Sequence, residues 1–258
     1  ATDWAWADCT KVPFPGTPDP TRICLKNNFD PALLYEVVFT AKDPLVLGIG
    51  FAATRDLNSF FRNAEKDDDG TPNPLAKKIT HAISQGSSQS GNFIRSFIHL
   101  GFNEDESGKI VWEGAMPHIA GRQTALNFRF ALPDGASDPY EAGSDGVMWW
   151  NDWEDTVRGR KGAGLLDRCR ATQTCPKVFE TFGSTEFWDL RMSPDLVGTS
   201  ATKDIPLPDN VRRYYFPGTN HGGGAGGFRL AAPPPASGRG GACVLPANPN
   251  PESDTMRA

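Results

Sequence analysis

Histidine is scarce in this sequence, with four in 258 residues, and no Cys-x-x-Cys occurs among its five cysteines. A structural zinc site is therefore not expected. No run of eighteen apolar residues exists, so no segment reads as a membrane-spanning helix. Basic charge is in deficit: 26 Lys and Arg face 31 Asp and Glu, for a net charge of −5. A nucleic-acid partner is not expected, because phosphate binding needs a concentrated basic face. The first residues, Ala1-Thr2-Asp3-Trp4, lack the charged-then-apolar layout of a signal peptide, as a mature exported protein would. No internal repeat is found.

What is present suits a globular domain. Hydrophobic residues make up 38% of the chain and charged residues 22%, enough to build a core. The 22 prolines and 27 glycines call for long irregular connections. Cys9/Cys24 and Cys169/Cys175 are close in sequence and fall in loops, which reads as two local disulfides with Cys243 left over. Reduced thiols are the alternative.

Residues 1–31 read as loop, apart from a short strand at Ile23-Cys24-Leu25. Leu33–Ala41, Ile79–Ser87, Lys109–Trp112, Lys177–Phe182 and Val211–Phe216 read as strands. Gly50–Ala64 and Gly91–Phe102 read as helices from their apolar spacing. Strands alternating with helices imply an α/β fold with a mostly parallel sheet flanked by helices, whose ligand site lies at the carboxyl ends of the strands. One domain over residues 1–230 is expected, with a lid-like insertion at 120–176 and a Pro/Gly-rich tail at 231–258.

Three segments at those strand ends carry chemistry. Gly86-Ser87-Ser88-Gln89-Ser90-Gly91 lies between a predicted strand and a predicted helix, the context of a nucleophile elbow. The positions two before and two after the nucleophile must be small. Centred on Ser88 they are Gly86 and Ser90; centred on Ser90 they are Ser88 and Asn92, a poorer fit. Ser88 is thus the expected nucleophile, and the backbone N–H of Gln89 an expected oxyanion donor at the helix N-terminus. A serine nucleophile needs a base and an orienting acid, in this fold in the order Ser, Asp/Glu, His. His221 follows the strand Val211–Phe216 in a Gly-rich loop and is the expected base, whereas His81, His99 and His118 read as structural. Glu186, directly after the strand Lys177–Phe182, is the expected acid, with Asp189 and Asp195 as alternatives.

The segments GIGFAATRDL (48–57), GSSQSGNFIRSFIHLGFNEDE (86–106), GAMPHIAGR (114–122) and RRYYFPGTNHGGG (212–224) resemble a family of bacterial α/β-hydrolase domain proteins. The serine segment is also similar to that of tannase and feruloyl-esterase-type enzymes. The resemblance implies the α/β-hydrolase fold and an exported, secreted or periplasmic, carboxylic-ester hydrolase using Ser88 and His221, with Glu186 matching the acid. Only 87 residues precede Ser88, fewer than the upstream strands of that fold require. A shortened member lacking N-terminal strands is therefore expected, and the second oxyanion donor, which those strands normally carry, is not found.

Trp149, Trp150, Trp153 and Trp188 are the candidate substrate-binding residues; the alternative is that the tryptophans of the insertion simply pack it. The expected partner is a small or polymeric ester, and no cofactor or metal is implied: Asp67, Asp68 and Asp69 lack calcium-ligand spacing. Two other readings stand beside this one. Gly48-Ile49-Gly50-Phe51-Ala52-Ala53, behind a short strand Leu45–Leu47, fits the G-x-G-x-x-A of a nucleotide-dependent oxidoreductase. A non-catalytic remnant or binding module would follow from the missing upstream strands.

Overall fold

The computed structural model describes residues 3–33, 35, 48–122, 147–157, 159–190, 192–200 and 202–221. The strand expected at Leu33–Ala41 (save Leu33 and Tyr35), the strand Leu45–Leu47, much of the 120–176 insertion, the tail at 231–258 and Cys243 lie outside the described residues. The chain divides into two compact units, Ala1–Pro44 and Leu45–Ala258.

In the first unit, where the sequence suggests loop, β1 (Trp4–Asp8) and β2 (Thr17–Leu25) form an antiparallel hairpin. Pro18 and Pro20, which argue against a strand, lie on β2. A two-stranded ribbon has only edge strands, where a missing N–H is tolerated. Trp4 pairs with Leu25 and Trp6 with Ile23. A disulfide joins Cys9 to Cys24. At the turn the Asp8 carboxylate accepts the Thr10 N–H at 2.7 Å and pairs with Arg22 at 2.6 Å.

In the second unit, α1 (Ile49–Asn63) runs into an asparagine cap: Asn73 Nδ2 donates to the carbonyls of Phe60, Phe61 and Ala64 at 2.8–3.1 Å. The Phe60 carbonyl also accepts the Ala64 N–H at 3.0 Å, and the amide covers the remaining carbonyls of the helix end. The elements that follow are β3 (Ile83–Ser87), α2 (Gln89–His99), β4 (Gly114–His118), a small antiparallel hairpin of β5 (Trp153–Asp155) and β6 (Arg160–Ala163), α3 (Asp167–Thr172), β7 (Lys177–Gly183), α4 (Ser184–Trp188), α5 (Ser193–Val197) and β8 (Val211–Phe216). β3, β4, β7 and β8 form one parallel sheet in that order, as expected of an α/β fold.

One strand is displaced from its sequence position. Lys109–Trp112 is not in the sheet; the strand begins at Gly114. Side chains take the backbone donors of that segment first. Asp105 accepts the N–H groups of Ser107 and Lys109, both at 2.9 Å, and Asn103 Oδ1 accepts that of Trp112 at 2.9 Å. Buried Asn103 also donates to the carbonyls of Trp112 and Thr174. Side-chain bonds of this kind give the backbone an alternative to the ladder.

The core between α1, α2 and the sheet is aromatic. Phe51 stacks on Phe93 with centroids 4.5 Å apart, and Phe97 stacks on Trp112 at 4.1 Å. Ile94, Ile98, Val111, Ala115, Val178 and Val211 complete it. A second disulfide, Cys169–Cys175, ties α3 to the segment entering β7. Both expected cysteine pairs are therefore formed.

Candidate active site

β3 ends in a turn so tight that its backbone meets the helix it feeds. A Cβ on Gly86 would lie 2.6 Å from the carbonyl carbon and oxygen of Ser90. One on Gly91 would lie 2.5 Å from Ala120 Cβ and 2.8 Å from the Gly86 carbonyl oxygen. Gly86 and Ser90 are the small pair expected around Ser88. Gly91 is a further requirement, visible only once the loop after β4 is placed against the helix. Gly50, from the G-x-G-x-x-A string, differs: it is the second residue of α1, and a Cβ there meets nothing within 4 Å. Gly86→Ala is accordingly expected to destabilise by about 1–3 kcal/mol through overpacking. Gly50→Ala should stabilise by about 0.5–1 kcal/mol, because the helix gains a better former. Urea midpoints of the two variants, moving in opposite directions, check the pair.

Ser88 holds φ 55°, ψ −122°, a conformation sparsely populated by non-glycine residues. Its N–H donates to the His118 carbonyl at 2.9 Å, anchoring the turn to the end of β4. The next residue, Ile119, also has a positive φ, 44°, and donates its N–H to the Thr181 carbonyl at 2.7 Å. Two strained residues thus sit on neighbouring strands at one end of the sheet, the clustering expected of a functional site.

The same end gathers the other expected residues. Glu186 lies on α4, three residues beyond β7, and His221 lies five residues beyond β8. His221 Nε2 is 2.7 Å from Ser88 Oγ, and its Nδ1 is 2.5 Å from Glu186 Oε1. The carboxylate of Glu186 is fully buried, and its Oε2 accepts the Gly183 N–H at 2.7 Å. With the ring proton on Nδ1, His221 donates to Glu186 and accepts from the serine hydroxyl.

The alternatives stand elsewhere. Ser90 is an exposed residue of α2. Asp189 is exposed, and Asp195 is buried against Arg95. Gln89 opens α2, so its N–H has no carbonyl within the helix to bond. The tryptophans separate. Trp150 (1% exposed) is in the main core with Arg95 over its ring, and Trp149 (4%) packs with Met148 and Ile205 while donating Nε1–H to the Ala163 carbonyl. Both rings serve packing, the alternative weighed for them. Trp153 is half-buried beside Gly198, and Trp188 is 70% exposed on α4.

His118, read from the sequence as structural, is the last residue of β4, and its Nδ1 is 2.7 Å from Thr181 Oγ1. Burial holds its ring below the usual imidazole range; the charge of Glu186 pulls it up and that of His221 pushes it down. It is thus a second imidazole in the electrostatic field of the site. Only its position at a strand end, obscured by the misplaced β4, could have revealed it.

Behind the site lies a network of buried charge. Arg95 on α2 pairs with Glu180 on β7 and Asp195 on α5, and donates to the Met148 carbonyl. Arg213 on β8 holds the other Glu180 oxygen at 2.6 Å. Burial pushes Glu180 up, but Arg213 and Arg95 outweigh it and keep the carboxyl below the usual range. For Asp195 burial wins, and the carboxyl is pushed up to about 8 despite the two guanidinium groups.

Residues 1–258 match a family model described as Alpha/beta hydrolase domain. No curated protein and no solved structure matches the chain.

Proposed function

The chain belongs to the alpha/beta hydrolase domain family, and from that membership we propose that it is a serine carboxylic-ester hydrolase working through an acyl-enzyme on Ser88. The observation that carries this reading is the unbroken hydrogen-bond chain from Ser88 Oγ through His221 to buried Glu186, with the serine on a strained turn.

In the proposed reaction His221 Nε2 takes the hydroxyl proton as Ser88 Oγ attacks the ester carbonyl. Glu186, held by the Gly183 N–H, fixes the ring and stabilises the imidazolium that forms. The developing oxyanion lies at the N-terminus of α2, where the Gln89 N–H donates to it. His221 then returns the proton to the departing alcohol. Water, deprotonated by the same imidazole, releases the acid and restores Ser88. The region expected to hold a second oxyanion donor, upstream of β3, includes residues outside the described set.

Exposed Trp188 packs edge-on against Phe187, with centroids 4.6 Å apart, and is the proposed aromatic contact for a small or polymeric ester. The likeness of the serine segment to tannase and feruloyl-esterase-type enzymes supports an ester of that kind. The disulfides Cys9–Cys24 and Cys169–Cys175 suit an oxidising compartment and support export, secreted or periplasmic. No described helix is long and apolar enough to cross a membrane.

A fluorophosphonate probe followed by peptide mapping tests the reading. The expected adduct is on Ser88. An adduct on Ser90 would move the nucleophile by two residues. No adduct on correctly folded protein would favour the non-catalytic alternative.

A further inference from the structure

The loop carrying His221 is gripped from the segment that carries Glu186. α4 begins directly after β7, so Ser184 and Glu186 lie in one turn, two residues apart. Glu186 takes the ring of His221. Ser184 Oγ accepts the N–H of Gly218, three residues before His221, at 2.7 Å. The same hydroxyl is 3.0 Å from the hydroxyl of Tyr215, the penultimate residue of β8. Tyr215 is itself fixed by ring contacts, to Phe182 at 5.2 Å and Phe187 at 5.7 Å between centroids. Within the loop, Thr219 Oγ1 donates to the Phe216 carbonyl at 2.8 Å.

From this arrangement we infer that Ser184 is a positioning residue: its hydroxyl pins the turn at Gly218 and so sets the distance between His221 and both Ser88 and Glu186. The inference rests on the hydrolase reading above. Gly218 has φ 77°, a left-handed backbone suited to glycine, so the pinned residue sits at a turn three residues before His221. Without the pin, the turn at Gly218 loses its tie to the segment that carries Glu186. The site is sensitive to such slack, because the serine and imidazole must meet within hydrogen-bond reach in every turnover.

The test compares Ser184→Ala with Ser184→Thr in the full chain. Loss of the hydroxyl is expected to lower kcat on p-nitrophenyl butyrate about 10- to 100-fold, the cost of misplacing a reacting group by around an ångström. KM should stay within about twofold, since the hydroxyl makes no uniform contribution to binding. Threonine should restore most of the rate, and the thermal midpoint of Ser184→Ala should match the parent. Wild-type kcat in Ser184→Ala overturns the inference. So does a rate loss that accompanies a lowered thermal midpoint and is not rescued by threonine. A readout independent of turnover separates this from the hydrolase reading: the far-downfield proton resonance of the 2.5 Å His221–Glu186 hydrogen bond. It should be present in the parent and lost in Ser184→Ala. If the parent takes no fluorophosphonate, the hydrolase reading fails; if the resonance survives the alanine substitution, the positioning role fails.

Discussion

Ser88→Ala is expected to lower kcat/KM on p-nitrophenyl butyrate by roughly 10⁴- to 10⁶-fold, the range for deleting a nucleophile that acts as one unit with its base. The loss should fall on kcat, because the hydroxyl matters in the transition state and contributes little to ground-state binding. His221→Ala should be comparably damaging, and the double variant hardly worse than either, since neither residue works without the other. Glu186→Gln keeps the shape but lets the neutral amide donate to Nδ1, favouring the wrong tautomer; a drop of about 10⁴-fold is expected. Folding should survive the serine change: Ser88 is half-buried and its backbone geometry is fixed by Gly86, Gly91 and the His118 carbonyl. A Ser88→Ala variant retaining a tenth of the parent activity, or Ser90→Ala losing it, would sink the assignment.

Much of this site was legible because its signals are local. Small residues flanking Ser88 between an alternating strand and an amphipathic helix specify one turn geometry, and His221 and Glu186 each follow directly on a strand whose apolar residues mark it. Parallel strands then bring the three ends together without further information. The features that were not legible are non-local. β4 begins two residues later than Trp112 because Asp105 and Asn103 capture the backbone before it, and side-chain capture leaves no periodic trace. The N-terminal hairpin hides behind Pro18 and Pro20, whose cost vanishes only in a two-stranded ribbon. Trp149 and Trp150 sit in sequence among Gly, Asp and Arg, yet they are core, with the following Asn151 bonded to the Pro206 carbonyl and Asp152 paired with Arg170. Gly91 and His118 gain their meaning from contacts with Ala120 and Thr181, across strands.

Arg95 is the sharpest case, and it carries the largest expected effect on stability. On a helical reading of Ile94, Arg95, Phe97 and Ile98 a charge belongs in solvent, but its side chain is fully buried. The compensating acids come from 85 and 100 residues further along the chain. Removing Arg95 takes the central cation from this buried network and leaves Glu180 with Arg213 alone, so Arg95→Ala is expected to cost about 3–5 kcal/mol, read as a fall in the urea midpoint. The loss should reach the site as well, since Arg95 joins α2, the helix that follows Ser88, to β7 and α5, while Arg213 joins β8 to the same Glu180. Asp195 behaves differently because burial pushes it up to about 8. Its folded form keeps a proton that the unfolded chain, near the ordinary carboxylate value, has already released. The corresponding stability is full below the unfolded value, drains away as pH rises from there to about 8, and is gone above it. Asp195→Asn still offers Arg95 a carbonyl oxygen and has no proton to lose. It should match the parent only below the ordinary carboxylate range and surpass it by a growing margin as pH rises to about 8, where the gap levels off. Urea midpoints of the two proteins measured from pH 5 to pH 9 decide this: parallel curves across that range would mean that Asp195 is ionised in the fold and that the network is held by four full charges.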